Sequence, residues 1–190
     1  MAGALFASPL IQKSKKYLSK KEVTFLWILS TIAGILPDLD LLYVAFFPGT
    51  KHRYLISHSF IPYLFIFLFA FIISNFLKEK KFGRKFYLTA SGVFIIGIIS
   101  HMFFDFFLGG LALLKPLSNH YFGYDLPCLS SYSVWIFNYV SSIYMIIEAG
   151  VLTAFVGLSL KEKNRYLNIF AVFFCVVAVL SAVFFSLYLK

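Results

Sequence analysis

The stretch YLTASGVFIIGIISHMFFDFFLGGLALL, residues 87–114, decides how the chain is read. It is long and apolar, and two ionisable residues, His101 and Asp105, sit inside it. About 20 apolar residues cross the roughly 30 Å hydrocarbon core of a bilayer as a helix. An ionisable residue within such a span costs roughly 2.5–3.5 kcal/mol on the insertion scale and therefore points to function. This one segment predicts both a membrane helix and a site within it.

Working outward, similar runs recur. Membrane-spanning helices are predicted over 23–47, 55–77, 87–114, 134–160 and 167–189, separated by short basic segments. Composition agrees: 61% of the 190 residues are apolar and 13% charged, against about 45–50% and 25% in soluble domains. The 25 Phe suit lipid-facing and packing surfaces, while the 12 Tyr and 2 Trp suit the membrane–water interface. The expected fold is an all-α integral membrane protein. It is a bundle of about five transmembrane helices forming one domain over 23–190, preceded by a basic segment over 1–22. That segment is apolar up to Ile11 and then carries five lysines from Lys13 to Lys21. It is too short to cross, and an interfacial or half-inserted helix is expected. Cys128 in a loop and Cys175 in an apolar run do not suggest a disulfide.

The net charge of +9 does not indicate nucleic acid, because the basic residues lie at helix ends. Thirteen fall on one side: Lys13, Lys15, Lys16, Lys20, Lys21; Lys78, Lys80, Lys81, Arg84, Lys85; Lys161, Lys163, Arg165. Four fall on the other, Lys51, Arg53, Lys115 and Lys190. The positive-inside rule then places the N-terminus in the cytoplasm and the C-terminus outside, in the cell membrane.

The remaining ionisable residues converge by depth. With a helical rise of about 1.5 Å, Asp38 lies roughly 22 Å into the first span, His101 roughly 21 Å and Asp105 roughly 27 Å into the third, and His58 roughly 28 Å from the basic end of the second. All reach the outer half of the membrane. His101 and Asp105, four apart, share a helix face. Asp38 and Asp40 would diverge on a regular helix, but Pro37 interrupts it, with Gly34 one turn before. A break there lets both carboxylates turn inward. Imidazole with carboxylate suits Zn²⁺, Mn²⁺ or Fe²⁺ better than Mg²⁺. Asp38, Asp40, His58, His101 and Asp105 are the expected metal ligands. His52 is a candidate general base or extra ligand, and Arg53, with its planar fork, a candidate phosphate-binding residue. Taken singly, Asp40 also reads as a cap, His52 and Arg53 as interfacial loop residues, and His120 as a bystander. Glu148, in the apolar fourth span, is open to pairing with the cluster or with a tyrosine.

At these residues the chain resembles the membrane-bound metal-dependent hydrolase family, inner-membrane hydrolases related to LexA-regulated bacterial members. The matching motifs are Leu36-Pro37-Asp38-Leu39-Asp40, His52-Arg53 with His58-Ser59, and Ser100-His101 with Asp105, followed by Gly109, Gly110 and Pro116. They cover about residues 30–120. Two features depart from the family pattern. His52 and His58 are six apart where the family has five, and no histidine stands in Met1 to Ile11. The resemblance implies a metal-dependent hydrolase and supplies no substrate. A phosphoester of a lipid or lipid-linked molecule is the expected substrate class, with membrane lipid the expected partner. The alternatives are an ion or metal transporter and a non-enzymatic membrane protein with a structural metal site. A lipid-phosphatase mechanism based on a Pro-Ser-Gly-His segment is disfavoured, because the chain has no such segment.

Overall fold

A computed structural model describes residues 1–40, 43, 46–47, 52–76, 83–108, 110–123 and 143–188; for 52, 108, 143–145 and 181–188 it describes the backbone alone. Six α-helices occur among the described residues. They are α1 (Ala2–Ser14), α2 (Lys20–Ala33), α3 (Phe60–Phe76), α4 (Arg84–Leu108), α5 (Ile143–Glu162) and α6 (Arg165–Tyr188). Three 3-10 turns, Leu36–Leu39, His52–Tyr54 and Ile56–His58, lie between α2 and α3. The all-helical expectation holds among the described residues, where the sole β pairing is an isolated antiparallel bridge, Leu111 to Phe122.

Several boundaries differ from the sequence reading for local reasons. The helix of the first span, expected to break at Pro37, already stops at Ala33. Gly34 caps it, and Pro37 opens the 3-10 turn that follows. A proline lacks the N–H that a continuing helix needs. At the other end α2 starts at a capping box: the Ser19 N–H donates to Glu22 at 2.7 Å, and the Glu22 N–H donates back to the Ser19 hydroxyl. α4 ends at Leu108 rather than 114, before Gly110 turns the chain with φ +73°. That positive φ favours glycine. The first nine residues of the expected fourth span lie outside the described residues. Arg84–Phe107 is, among the described residues, the one helix long and apolar enough by itself to cross a membrane. Phe60–Phe76 and Arg165–Leu180 are apolar but shorter.

α4 is the central element, with α1, α2 and α3 packed on it. The close contact of α1 follows from glycine. A Cβ on Gly3 would lie 2.2 Å from the Ser30 carbonyl oxygen and 3.1 Å from the Gly97 Cα; one on Gly97 would lie 2.6 Å from the Ala33 Cβ. Small residues let membrane helices approach backbone to backbone. Thus Ala2–Ser14, part of the segment read as basic and interfacial, presents Gly3, Ala4, Ala7 and Ile11 to the bundle as a buried face. At its far end Lys15 pairs with Glu162 of α5 at 2.5 Å, and Gln12 donates to the same carboxylate.

The apolar residues sort into two clusters. One, around Trp27, Leu26, Ile11 and Phe155, fills the end of the bundle where the lysines lie. The other, around Ala33, Tyr63, Ile98 and Met102, supports the polar residues at the opposite end. The outer faces are apolar too. On α3, Phe65, Phe69 and Phe76 are 66%, 68% and 80% exposed. A contiguous apolar outer surface of this kind suits contact with lipid.

Candidate metal centre

Two breaks in regular helix and the C-terminal part of α4 bring the site together. The turn after α2 supplies Asp38, the turn before α3 supplies His58, and the last turns of α4 supply His101 and Asp105. One ligand atom from each of these four lies within 4.8 Å of every other. The His58 Nε2 is 3.5 Å from the Asp38 Oδ1 and 3.3 Å from the Asp105 Oδ2; the His101 Nε2 is 3.4 Å and 3.0 Å from the same two oxygens. A tetrahedral ion with roughly 2.0–2.1 Å bonds to N and O spaces its donors about 3.3 Å apart. The four separations bracket that value, so the residues fit a divalent ion.

The hydrogen bonds behind the imidazoles favour the same role. The His101 Nδ1–H donates to the Gly34 carbonyl at 3.0 Å, and His58 Nδ1 meets the Asp40 carboxylate at 2.9 Å. A ligating histidine commonly holds its second nitrogen this way, which fixes the tautomer and points the other nitrogen's lone pair at the metal. The His101 Nε2 and the Asp105 Oδ2 are buried without a hydrogen-bond partner among the described residues, although 3.0 Å apart. A cation held between them would satisfy both atoms. Asp40 itself stands behind His58, outside the four, and also accepts a hydrogen bond from the Ser57 hydroxyl. Tyr63 donates to the Ser57 carbonyl at 2.8 Å, so α3 braces this outer layer.

Compared with known protein families, the chain matches the one described as YdjM inner membrane protein over residues 1–188. It belongs to the YdjM inner membrane protein family. No curated protein and no solved structure matches the chain. Membership makes it a membrane protein and gives the cell membrane as its location, in agreement with the composition.

In this YdjM-family chain the segment 110–123 packs against the turns before α3, which carry Arg53, Tyr54 and His58. The Leu111 and Phe122 backbones bond each other at 2.8 and 3.0 Å. Ala112 N–H donates to the Arg53 carbonyl, and Phe60 N–H to the Leu113 carbonyl. Lys115 donates to the Tyr54 carbonyl at 2.5 Å and lies 4.7 Å from the centre of that ring, which stacks on Tyr121. Arg53 Nη2 stands 3.4 Å from the Asp105 Oδ1. Asp38 is the open side of the site, its side chain 39% exposed against 0% for His58 and about 10% for His101.

The other candidates sort as follows. His52 lies in the turn His52–Tyr54, and its side chain falls outside the described residues. His120 is exposed against Phe122, away from the four. Glu148 is exposed on α5 and is not part of the cluster. The sequence reading passed over Ser57 and Tyr54, and took Gly34 as part of the helix break without its carbonyl's bond to His101. Ser57 adjoins His58 and Gly34 precedes Pro37, so proximity to a motif was their available signal.

Proposed function

We propose that the chain is a membrane-embedded metal-dependent hydrolase, with Asp38, His58, His101 and Asp105 holding one Zn²⁺, Mn²⁺ or Fe²⁺ ion. The observation that carries this is the convergence of two imidazole nitrogens and two carboxylate oxygens at 3.0–3.5 Å, each histidine backed on its other nitrogen. Such an ion supplies a polarising charge and lowers the pKa of a bound water toward 7. The residues do the rest. Asp40 and the Gly34 carbonyl hold the imidazoles in register. Arg53, beside Asp105, offers a forked cation to a phosphate oxygen arriving from the Asp38 side. His52 remains the candidate general base. A lipid or lipid-linked phosphoester as substrate accounts for a site built at membrane depth.

The activity test uses purified protein loaded with zinc or manganese and mixed with a lipid extract, scored for released phosphate and headgroup. Release by the wild type is expected, with a loss of at least 100-fold in His101→Ala, in line with losses seen when a major catalytic group is removed. Arg53→Ala is expected to act mainly on KM. Metal uptake with no release from any phosphoester would sink the hydrolase assignment and leave a transport or structural site.

We further propose that the site faces outward, with five crossings and a cytoplasmic N-terminus. The 13 to 4 division of basic residues supports this. In a background without Cys128 and Cys175, an impermeant thiol reagent applied outside intact cells should label Asn119→Cys and spare Gly83→Cys. The opposite pattern overturns the orientation.

A further inference from the structure

At the end of the bundle away from the metal centre, a cleft of 610 Å³ opens between the C-terminal end of α1, the first turns of α2 and the α5–α6 turn. α2 connects the two sites, and its 14 residues separate them by about 20 Å. Four cations line the cleft, Lys15, Lys20, Lys163 and Arg165, against one carboxylate, Glu162. That carboxylate is already engaged by Lys15 and Gln12. Leu18, Val23 and Tyr166 add apolar surface.

Two further observations mark this as more than a solvated basic end. Trp27 lines the cleft and is 0% exposed, yet its indole N–H finds no acceptor among the described residues. A buried indole normally bonds through that N–H. Lys163 turns the chain between α5 and α6 with φ +50°, a conformation that favours glycine, and is the sole non-glycine described with positive φ. The fold therefore keeps a lysine at the cleft where a glycine would be less strained.

We propose that this cleft binds a phosphate group presented by an anionic phospholipid. The cations and the indole N–H provide donors for phosphate oxygens, and the adjoining apolar side chains provide a path for the acyl chains. Basic pockets between membrane helices take anionic headgroups in this manner. A lipid is favoured over a soluble phosphate because donors and apolar surface share one cleft in a membrane protein, at a helix end where headgroups lie. The cleft stands apart from the metal centre and shares none of its residues.

The test follows Trp27 emission in a Trp135→Phe background, with the full-length protein in phosphatidylcholine nanodiscs. Phosphatidylglycerol brominated on its acyl chain is expected to quench at a mole fraction about tenfold lower than brominated phosphatidylcholine. In a Lys20→Gln, Lys163→Gln, Arg165→Gln variant that preference should fall to near parity. Lys163→Gly guards against misfolding of the triple variant. It relieves the left-handed backbone, so its Tm should hold or rise while the preference drops about fivefold. Equal quenching by the two lipids in the wild type, or a preference unchanged in both variants, overturns the proposal. Displacement of the brominated lipid by millimolar inorganic phosphate overturns the lipid source and assigns the cleft to a soluble phosphate.

Discussion

Chelation of the purified wild-type protein in detergent is expected to lower its Tm by roughly 10 °C. A ligand that binds the folded state alone stabilises it by about 4 kcal/mol at a thousand times its dissociation constant. For a chain of this size each kcal/mol moves Tm by about 2–4 °C. The electrostatics of the site give the reason. Two carboxylates and two imidazole nitrogens converge within 4.8 Å in a largely buried setting. Without a cation among them the carboxylates repel, and the structure must take up protons to relieve it. Asp38→Asn with Asp105→Asn removes both charges at constant shape. This double variant should insert normally, carry no stoichiometric metal by elemental analysis, and show no response to chelator. A wild type indifferent to chelator would mean that protonated side chains, not a metal, hold the cluster together. The metal-dependent reading would then be lost.

Asp40→Ala is expected to weaken metal affinity by about 10–100-fold while leaving full occupancy at saturating metal. Asp40 meets His58 on the nitrogen that faces away from the cluster, at 2.9 Å, so its loss frees the ring to change tautomer and rotate. Asp38→Ala should behave differently, because its Oδ1 lies 3.4–3.5 Å from both His Nε2 atoms, within the proposed ligand set. Competition against a chromophoric chelator separates the two outcomes. If Asp40→Ala abolishes binding as fully as Asp38→Ala, both aspartates are ligands and the layered arrangement is wrong.

The sequence carried the pairing of His101 with Asp105 openly, because a four-residue interval on an uninterrupted helix fixes a shared face. Depth along the membrane normal brought Asp38 and His58 toward the same level. The difference between Asp38 and Asp40 was not legible. Both were expected to turn inward at the Pro37 break, and both do reach His58, but on its two different nitrogens. Which carboxylate faces the cluster depends on the 3-10 geometry of Leu36–Leu39, and composition does not encode it. The first helix was legible as apolar, too short to cross and followed by lysines. Its burial was not, since the fit of Gly3 depends on Gly34 and Gly97 far along the chain. Glu148 shows the converse: an acidic residue in an apolar run drew attention by sequence, and it lies exposed on α5.

That glycine seam also bears on the timing of assembly. α1 spans only about 20 Å and depends on a groove formed jointly by α2 and α4. Residues 2–14 are synthesised well before residues 84–108, a lag on the order of ten seconds at about 5–20 residues per second. During that interval the groove does not exist. The segment cannot dock in that groove until α4 arrives to receive it. A helix made before α4 thus reaches its place only after it. The turn that carries Asp38 and the helix that carries His101 take their final spacing beside a helix that docks late, so the four-residue cluster is complete only when the bundle closes.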